Sequence, residues 1–344
     1  MWIFAVNEKS GGGRGKKVWR RVEAELVKRG VPYRAVMAGS PEEADAEIRW
    51  LIAAFAEHGG SAEAADSLAE TEGAGAATQP RTGVKAVCVI GGDGTIHSVL
   101  PALVDSGVPL GIIPSGSGND SARAFGVPAK PLDALARILA GHAMPVDLIL
   151  LRSAKAAHGG GTAAERPVLT ALAVGFDAAI ADAVNRSAHK TLCNLLGVGS
   201  VAYLIGLLQI LLTYRQRQLT VTVDGTPHRF ERGWMAAVCS VPAYGGGLRI
   251  CPNASPTDGL LDVCVVHTCT PLQLLRLFPT LLSGTHTRLP YVKMLRGRPV
   301  SVAAEPQAGT DALAIYGDGE PVGEAPLYAE SAGHRLLLLS AVTG

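Results

Sequence analysis

Ile90-Gly91-Gly92-Asp93-Gly94-Thr95 is the stretch whose reading decides the fold of this chain. The apolar run Val84–Ile90 before it reads as a buried parallel strand. The glycines then let the backbone turn sharply and approach a ligand closely. Asp93 stands between them, and a helix start follows with Thr95 in its first turn. A strand, a glycine turn and a helix N-terminus together form a recurring way to hold phosphate. The acid in the middle adds phosphate chemistry to phosphate binding. An ordinary tight turn capped by an aspartate is the plainer reading, and the two adjacent glycines at a strand end weigh against it.

Working outward, the first part of the chain alternates strand-like and helix-like runs. Ile3–Val6, Tyr33–Met37, Val84–Ile90 and Leu110–Ile113 read as strands. Val18–Lys28, Pro41–His58, Ile96–Val104, Ser117–Phe125 and Leu132–Ala140 read as helices. This order predicts a doubly wound, Rossmann-like α/β domain with a parallel sheet. After Asp147 the texture changes. Val146–Arg152, Val168–Val174, Leu219–Val223, Trp234–Ser240, Leu261–Val266 and Val300–Ala303 are strand-like, with few helices between them. The expectation is an α/β domain over 1–147, completed by 325–344, and an antiparallel β-sandwich domain over 148–324. Two low-complexity segments, 59–83 and 154–167, read as mobile surface insertions without chemistry.

Bulk properties exclude several classes. The 344 residues are 48% hydrophobic, carry a formal net charge of +1, and include only 5% aromatics. No global field draws such a chain to nucleic acid, and few rings are available to stack on bases. The six cysteines show no CxxC pair and several sit in apolar runs, so reduced buried thiols in a cytoplasmic protein are expected. Met1–Asn7 lacks the basic start of a signal peptide. The uncharged stretch 191–214 is long enough to span a bilayer but is interrupted by Asn194, Gln209 and the run Gly197–Ser200. A buried or membrane-leaning helical segment is the expectation there.

Three more glycine-rich or acidic patches follow strand-like runs. Asn7-Glu8-Lys9-Ser10-Gly11-Gly12-Gly13-Arg14-Gly15 can cradle a triphosphate through backbone N–H groups, with Lys9, Ser10 or Arg14 adding contacts. It is not a Walker A loop, and alone it reads as a flexible loop. Pro114-Ser115-Gly116-Ser117-Gly118-Asn119-Asp120 has small residues that clear room for a nucleotide, and Asn119 and Asp120 can reach ribose, phosphate or a metal-bound water. Its plainer reading is a Ser/Gly cap. Two such loops after neighbouring parallel strands point to one crevice at the carboxyl ends of the sheet. The last patch comprises Tyr244–Pro252, Ser255–Asp262 and Gly317-Asp318-Gly319-Glu320, where each Asp-Gly is also a hairpin signal.

The ordered set resembles the lipid-kinase family that includes bacterial diacylglycerol kinases, related to sphingosine and ceramide kinases. The matching residues are Asn7, Ser10-Gly11, Gly91–Thr95, Pro114, Gly116, Gly118-Asn119-Asp120, Arg123 and Asp147. Further on come Gly175-Phe176-Asp177, Tyr244–Gly247, Pro252, Asp258-Gly259, Gly284, His286 and Asp318-Gly319-Glu320. Gly-Gly-Asp-Gly-Thr by itself is shared with NAD kinases and phosphofructokinases. The resemblance implies a phosphofructokinase- and NAD-kinase-like first domain, with the active site between it and a β-sandwich. It implies ATP along Asn7, Ser10, Gly11, Gly91, Gly92, Gly94, Thr95, Gly116, Ser117, Gly118 and Asn119. It also implies Asp93, Asp120 and Asp147 in a magnesium–water network. A structural magnesium is implied at Asp258 with Ser255 and Leu260, and Glu320 is implied as general base. The implied partner is a lipid substrate at the inner face of the membrane. The oligomeric state, a homodimer included, is left open.

The chain departs from the family pattern at Glu8, where proline is usual, and at His97 and Ser98, where Asn and Glu are usual. An acid beside a triphosphate loop repels the nucleotide unless it points away. Two other readings therefore stand beside the lipid kinase: a kinase of NAD or another small metabolite, and a nucleotide-binding regulator without turnover.

Overall fold

In this computed structural model the described residues are 1–37, 39–57, 83–152, 165–186, 210–211, 213–305 and 312–339. The chain divides into two compact units, Met1–Val146 with His334–Gly344, and Asp147–Gly333. The two low-complexity segments and most of the uncharged stretch 191–214 lie outside the described residues.

Four parallel strands organise the first unit: β1 (Trp2–Val6), β2 (Tyr33–Val36), β3 (Ala86–Gly91) and β4 (Leu110–Pro114), side by side in the order β2-β1-β3-β4. Every residue of β1, β3 and β4 is buried. Burial on both faces explains why their sequences are continuous apolar runs and not alternating ones. On one face Phe4, Cys88 and Ile90 pack with Trp19, Val22 and Leu26 of α1 (Ser10–Lys28) and Leu135 and Ile138 of α5 (Pro131–Ala140). Ile3, Val87 and Val89, which point the other way, are equally buried. The remaining helices of this unit are α2 (Pro41–Glu57), α3 (Asp93–Leu103) and α4 (Asp120–Ala124), and α2 packs on α3.

Register fixes where the turns fall. Val6 lies opposite Ile90, Ile90 opposite Ile113, and Gly91 opposite Pro114. Three neighbouring strands therefore end level, and the three glycine loops leave from one edge of the sheet. The order reverses between β1 and β3, which makes this edge the crevice position of an open α/β sheet.

Antiparallel pairing dominates the second unit. Here β7 (Ala171–Gly175), β8 (Arg217–Val223), β9 (Thr226–Cys239), β10 (Leu261–His267), β12 (Pro299–Ala304), β13 (Ala314–Gly317) and β14 (Glu320–Glu324) form the main ladders. Alternate residues divide between two cores. Leu172, Val174, Ala236, Val238, Val263 and Val265 face the sandwich interior. Met235, Ala237, Cys239, Cys264 and Val266 face a second core with Phe176, Leu274, Leu277 and Leu281. The last three lie on α7 (Pro271–Ser283), and Phe176 opens α6 (Phe176–Arg186). β5 (Ala143–Arg152), β6 (Arg166–Val168) and β11 (Val292–Gly297) complete the set with β15 (Leu327–Leu339). β15 pairs antiparallel with β12 through Leu327–Glu330, and Leu338 lies parallel to Leu110 of β4.

The structure bears out the parallel α/β part and the antiparallel β part. It differs in detail. Val168–Val174 is two strands broken at Leu169-Thr170, because Asp318 accepts hydrogen bonds from both backbone N–H groups there (2.9 and 2.8 Å). The few helices the sequence suggested in this part include α6 and α7, whose positions it did not give. The five described cysteines are free and buried, and burial pushes their thiols above the ordinary range. Among the described residues no helix is long and apolar enough to cross a membrane.

Candidate functional site

The first loop is built around Asn7. Its backbone N–H donates to Ile90 O (2.9 Å), continuing the β1–β3 ladder one step beyond the strand. Its side-chain Nδ2 donates to Thr95 Oγ1 (3.0 Å), and its Oδ1 accepts from Lys9 N (3.1 Å). Asn7 thus ties the first glycine loop to the second. Gly11, Gly12 and Gly13 follow with φ of 58°, 69° and 90°, so the regular helix starts only after them. A Cβ on Gly11 would stand 2.2 Å from Ser115 O, so only glycine allows this loop to touch the third. Ser10 Oγ and Ser115 Oγ share a 2.6 Å hydrogen bond across the same seam. Arg14 closes it by donating to Gly11 O (3.1 Å) and Gly116 O (2.7 Å).

The second and third loops meet backbone to backbone. A Cβ on Gly116 would lie 2.5 Å from Gly92 Cα, and one on Gly91 would lie 2.5 Å from Thr95. Asp93 opens α3 and reaches across to the third loop. Its Oδ2 accepts from Asp120 N (3.0 Å) and its Oδ1 from Ser121 N (2.8 Å). Desolvation raises the Asp93 pKa above the usual carboxylate value, opposed by these N–H donors and reinforced by the neighbouring Asp120 charge. Asn119 sits in the left-handed region (φ 54°) and clasps Gly116 reciprocally, N–H to Oδ1 and Nδ2 to O, both at 2.9 Å. Asp120 is paired with Arg123 at 2.6 Å, and Arg123 also donates to Gly118 O. Ser117 is exposed at the loop tip, while Gly94, Thr95 and Gly118 are half-buried.

The departures at Glu8 and Ser98 have local explanations. Glu8 pairs with Lys16 at 3.6 Å, which offsets its charge beside the loop. Ser98 Oγ donates to Thr95 O (2.8 Å) within α3.

In the second unit Asp147 is buried and accepts from Gly259 N (2.7 Å), while its own N–H donates to Pro256 O (2.7 Å). It thereby fixes the Ser255–Leu260 turn. Asp258 accepts from Leu260 N (3.0 Å) on one oxygen and from the Arg296 guanidinium on the other. Arg296 also lies 3.4 Å from Asp262, whose pKa burial raises. Ser255 Oγ bonds Thr257 Oγ1 (3.2 Å). Both oxygens of Asp258 are engaged and a guanidinium stands beside it, so Asp258, Ser255 and Leu260 as placed do not fit a bound cation. No group of three or more His, Cys, Asp or Glu among the described residues is arranged to hold a metal.

Asp318 forms the β13–β14 turn with Gly319, at φ of 51° and 85°. Its carboxylate also accepts from Thr170 Oγ1 (2.6 Å). Glu320 follows as the exposed first residue of β14. A separate apolar cavity of about 30 Å³ lies under α7, lined by Phe176, Ile180, Met235, Leu277 and Leu281. At it Tyr244 donates to Asp177 Oδ2 (2.5 Å). The sequence did not mark Ser115 or Arg296 as functional. Their only signal was proximity to a glycine loop and to an acid-free run.

The first unit matches the diacylglycerol kinase catalytic domain over residues 1–151, and the second the YegS C-terminal NAD kinase beta sandwich-like domain over 170–340. The chain is 32% identical over 316 residues to a diacylglycerol kinase of Mycobacterium tuberculosis (strain CDC 1551 / Oshkosh), spanning 92% of this chain and 87% of that one. It is 24% identical over 329 residues to the YtlR protein of Bacillus subtilis (strain 168), with 94% of each chain covered. A crystal structure of a diacylglycerol kinase from Bacillus anthracis str. Sterne shares the fold, with a TM-score of 0.63 at 16% identity over 99% of this chain and 97% of that one. Glycine loops on one sheet edge and these matches define a kinase. The chain belongs to the diacylglycerol-kinase family of lipid kinases.

Proposed function

We propose that the enzyme transfers the terminal phosphoryl group of ATP, taken as its magnesium salt, to a hydroxyl of diacylglycerol or a related lipid. The observation that carries this reading is the shared sheet edge, where three glycine loops are stitched together by Asn7, Ser10, Arg14, Asp93 and Asn119. Loops so close that a Cβ is excluded leave backbone dipoles, not side chains, facing a triphosphate. Magnesium supplies charge neutralisation on the β- and γ-phosphates. The chain's own part is positioning: Asp93 holds the third loop in place, and Gly116, Ser117, Gly118 and Asn119 border the nucleotide.

In the transfer the lipid hydroxyl oxygen bonds to the γ-phosphorus as the bond to the β–γ bridging oxygen breaks, releasing ADP. The hydroxyl proton passes to a carboxylate, for which Glu320 is the candidate. Asp120 is read as an outer member of the polar network around the nucleotide, and Asp147 as the residue that holds the Ser255–Leu260 turn. The lipid acceptor is read from the family match and not from the apolar cavity, whose volume of about 30 Å³ holds no more than a water molecule. The enzyme is read as acting at the inner face of the membrane.

Labelled ATP incubated with extracted lipids tests the proposal by showing which species gains phosphate. Diacylglycerol or a close relative is expected to be labelled, and Asp93→Ala to abolish labelling while circular dichroism and the unfolding midpoint confirm a folded chain. Equal transfer by Asp93→Ala would remove the central claim. Label on NAD alone would replace lipid with a soluble acceptor.

A further inference from the structure

Among the described residues six large apolar side chains are exposed, and three of them, Leu272, Leu275 and Leu282, lie on α7. The spacing of Leu272, Leu275, Pro279 and Leu282 puts them in one stripe along about three turns of helix. The opposite stripe, Leu274, Leu277 and Leu281, is buried in the core and lines the cavity. Burial of the inner face alone would have been satisfied by polar residues outside. The helix is instead apolar on two sides, with a capping box at Thr270 and Gln273 that fixes its start.

The exposed charge on this helix and the segment around it in sequence has one sign. From Val263 to Ala304 the chain has no Asp or Glu. Exposed Arg276 is on α7 itself, and exposed Arg288 ends the short turn that follows it. Exposed Arg249 is held beside the helix end, its backbone N–H donating to Leu281 O (2.9 Å). Asp177, at the cavity under the helix, is engaged by the Tyr244 hydroxyl. An apolar stripe rimmed by arginines complements an anionic bilayer, where leucines enter the acyl boundary and guanidinium groups meet lipid phosphates.

We infer that α7 is a membrane-docking helix, which lays its Leu272–Leu275–Leu282 stripe on an anionic lipid surface with Arg249, Arg276 and Arg288 at its rim. The choice of a bilayer as occupant rests on the lipid-substrate reading above. Docking in this way would set the cavity on the inner side of α7 next to the lipid.

The test is sedimentation of the full chain with phosphatidylcholine vesicles, with and without phosphatidylglycerol. The comparison is a variant carrying Leu272→Ser, Leu275→Ser and Leu282→Ser. The wild type is expected to sediment with the anionic vesicles and to bind neutral ones less well, by about fivefold for each arginine engaged. The variant is expected to lose vesicle binding about tenfold or more. Its unfolding midpoint should be unchanged, and so should its phosphorylation of a short-chain, water-dispersed diacylglycerol. Undiminished vesicle binding by the variant overturns the proposal. So does self-association on a dilution series that the variant abolishes while vesicle binding persists, since a second copy would then cover the stripe. Vesicle binding by both proteins' expected pattern, with no phosphorylation of the dispersed lipid by either, sinks the substrate reading and leaves the docking helix standing.

Discussion

At the scale of single residues, the candidate site is held by groups that satisfy backbone polar atoms. Asp93 is the clearest case, because its two oxygens accept from consecutive N–H groups of a different loop. The chemical type of that residue was legible in the sequence, as were Asn7 and Asn119. Their partners were not, because a pairing across a hundred residues, such as Ser10 with Ser115, leaves no local pattern. His286 illustrates a residue whose role is packing. It is fully buried, its Nε2 lies 2.9 Å from Ile250 O, and its Nδ1 has no hydrogen-bond partner. Desolvation holds its pKa below the usual histidine value. The unfolded chain therefore takes up this proton first as pH falls. The stabilisation from the neutral ring is complete above the unfolded value of about 6.5 and is lost as pH drops through the folded one. Denaturant titrations between neutral and mildly acidic pH should show falling stability in the wild type. A smaller pH dependence is expected in His286→Gln, and an identical slope would remove the assignment.

Elements, rather than residues, determine how tightly the glycine loops can meet. The β1, β3 and β4 strands were readable because both of their faces are buried and their sequences are unbroken apolar runs. The helices α6 and α7 were harder to see. Their apolar residues merge with strand-like runs on either side, so period alone does not separate them. The level ends of the three strands follow from register, which no single strand's sequence specifies. Close approach of Gly92 and Gly116 is the element-scale consequence. Gly116→Ala places a methyl group 2.5 Å from Gly92 Cα, a backbone atom that cannot swing aside, and 3.0 Å from Asn119 Oδ1. Overpacking of this kind costs about 1–3 kcal/mol. We expect the unfolding midpoint to fall modestly and the KM for ATP to rise about tenfold or more, as the loops separate at the position the phosphates need. Wild-type nucleotide affinity in this variant would show that the contact does not shape the site.

For the whole molecule, the informative feature is the last strand. β15 begins at Leu327 in the second unit and ends at Leu339 in the first, with His334 at φ 60° where the chain passes from one to the other. The run of four apolar residues, Leu336–Leu339, carries no address of its own in the sequence. Its buried leucines, Leu336, Leu338 and Leu339, pack in the first unit. Burying a leucine contributes about 1.5–3 kcal/mol. Truncation after Gly333 is therefore expected to lower the stability of the first unit by several kcal/mol and to abolish ATP binding; it should leave much of the second unit's strand signal in circular dichroism. Full nucleotide binding by the truncated chain would contradict this. A ribosome releases the N-terminus first, and domains commonly fold in that order as they emerge. Here the sheet that begins with Trp2 lacks its closing strand until residues 334–339 have left the exit tunnel. Its completion thus waits for the synthesis of the second unit, so a chain terminated before His334 would be unable to finish the first unit.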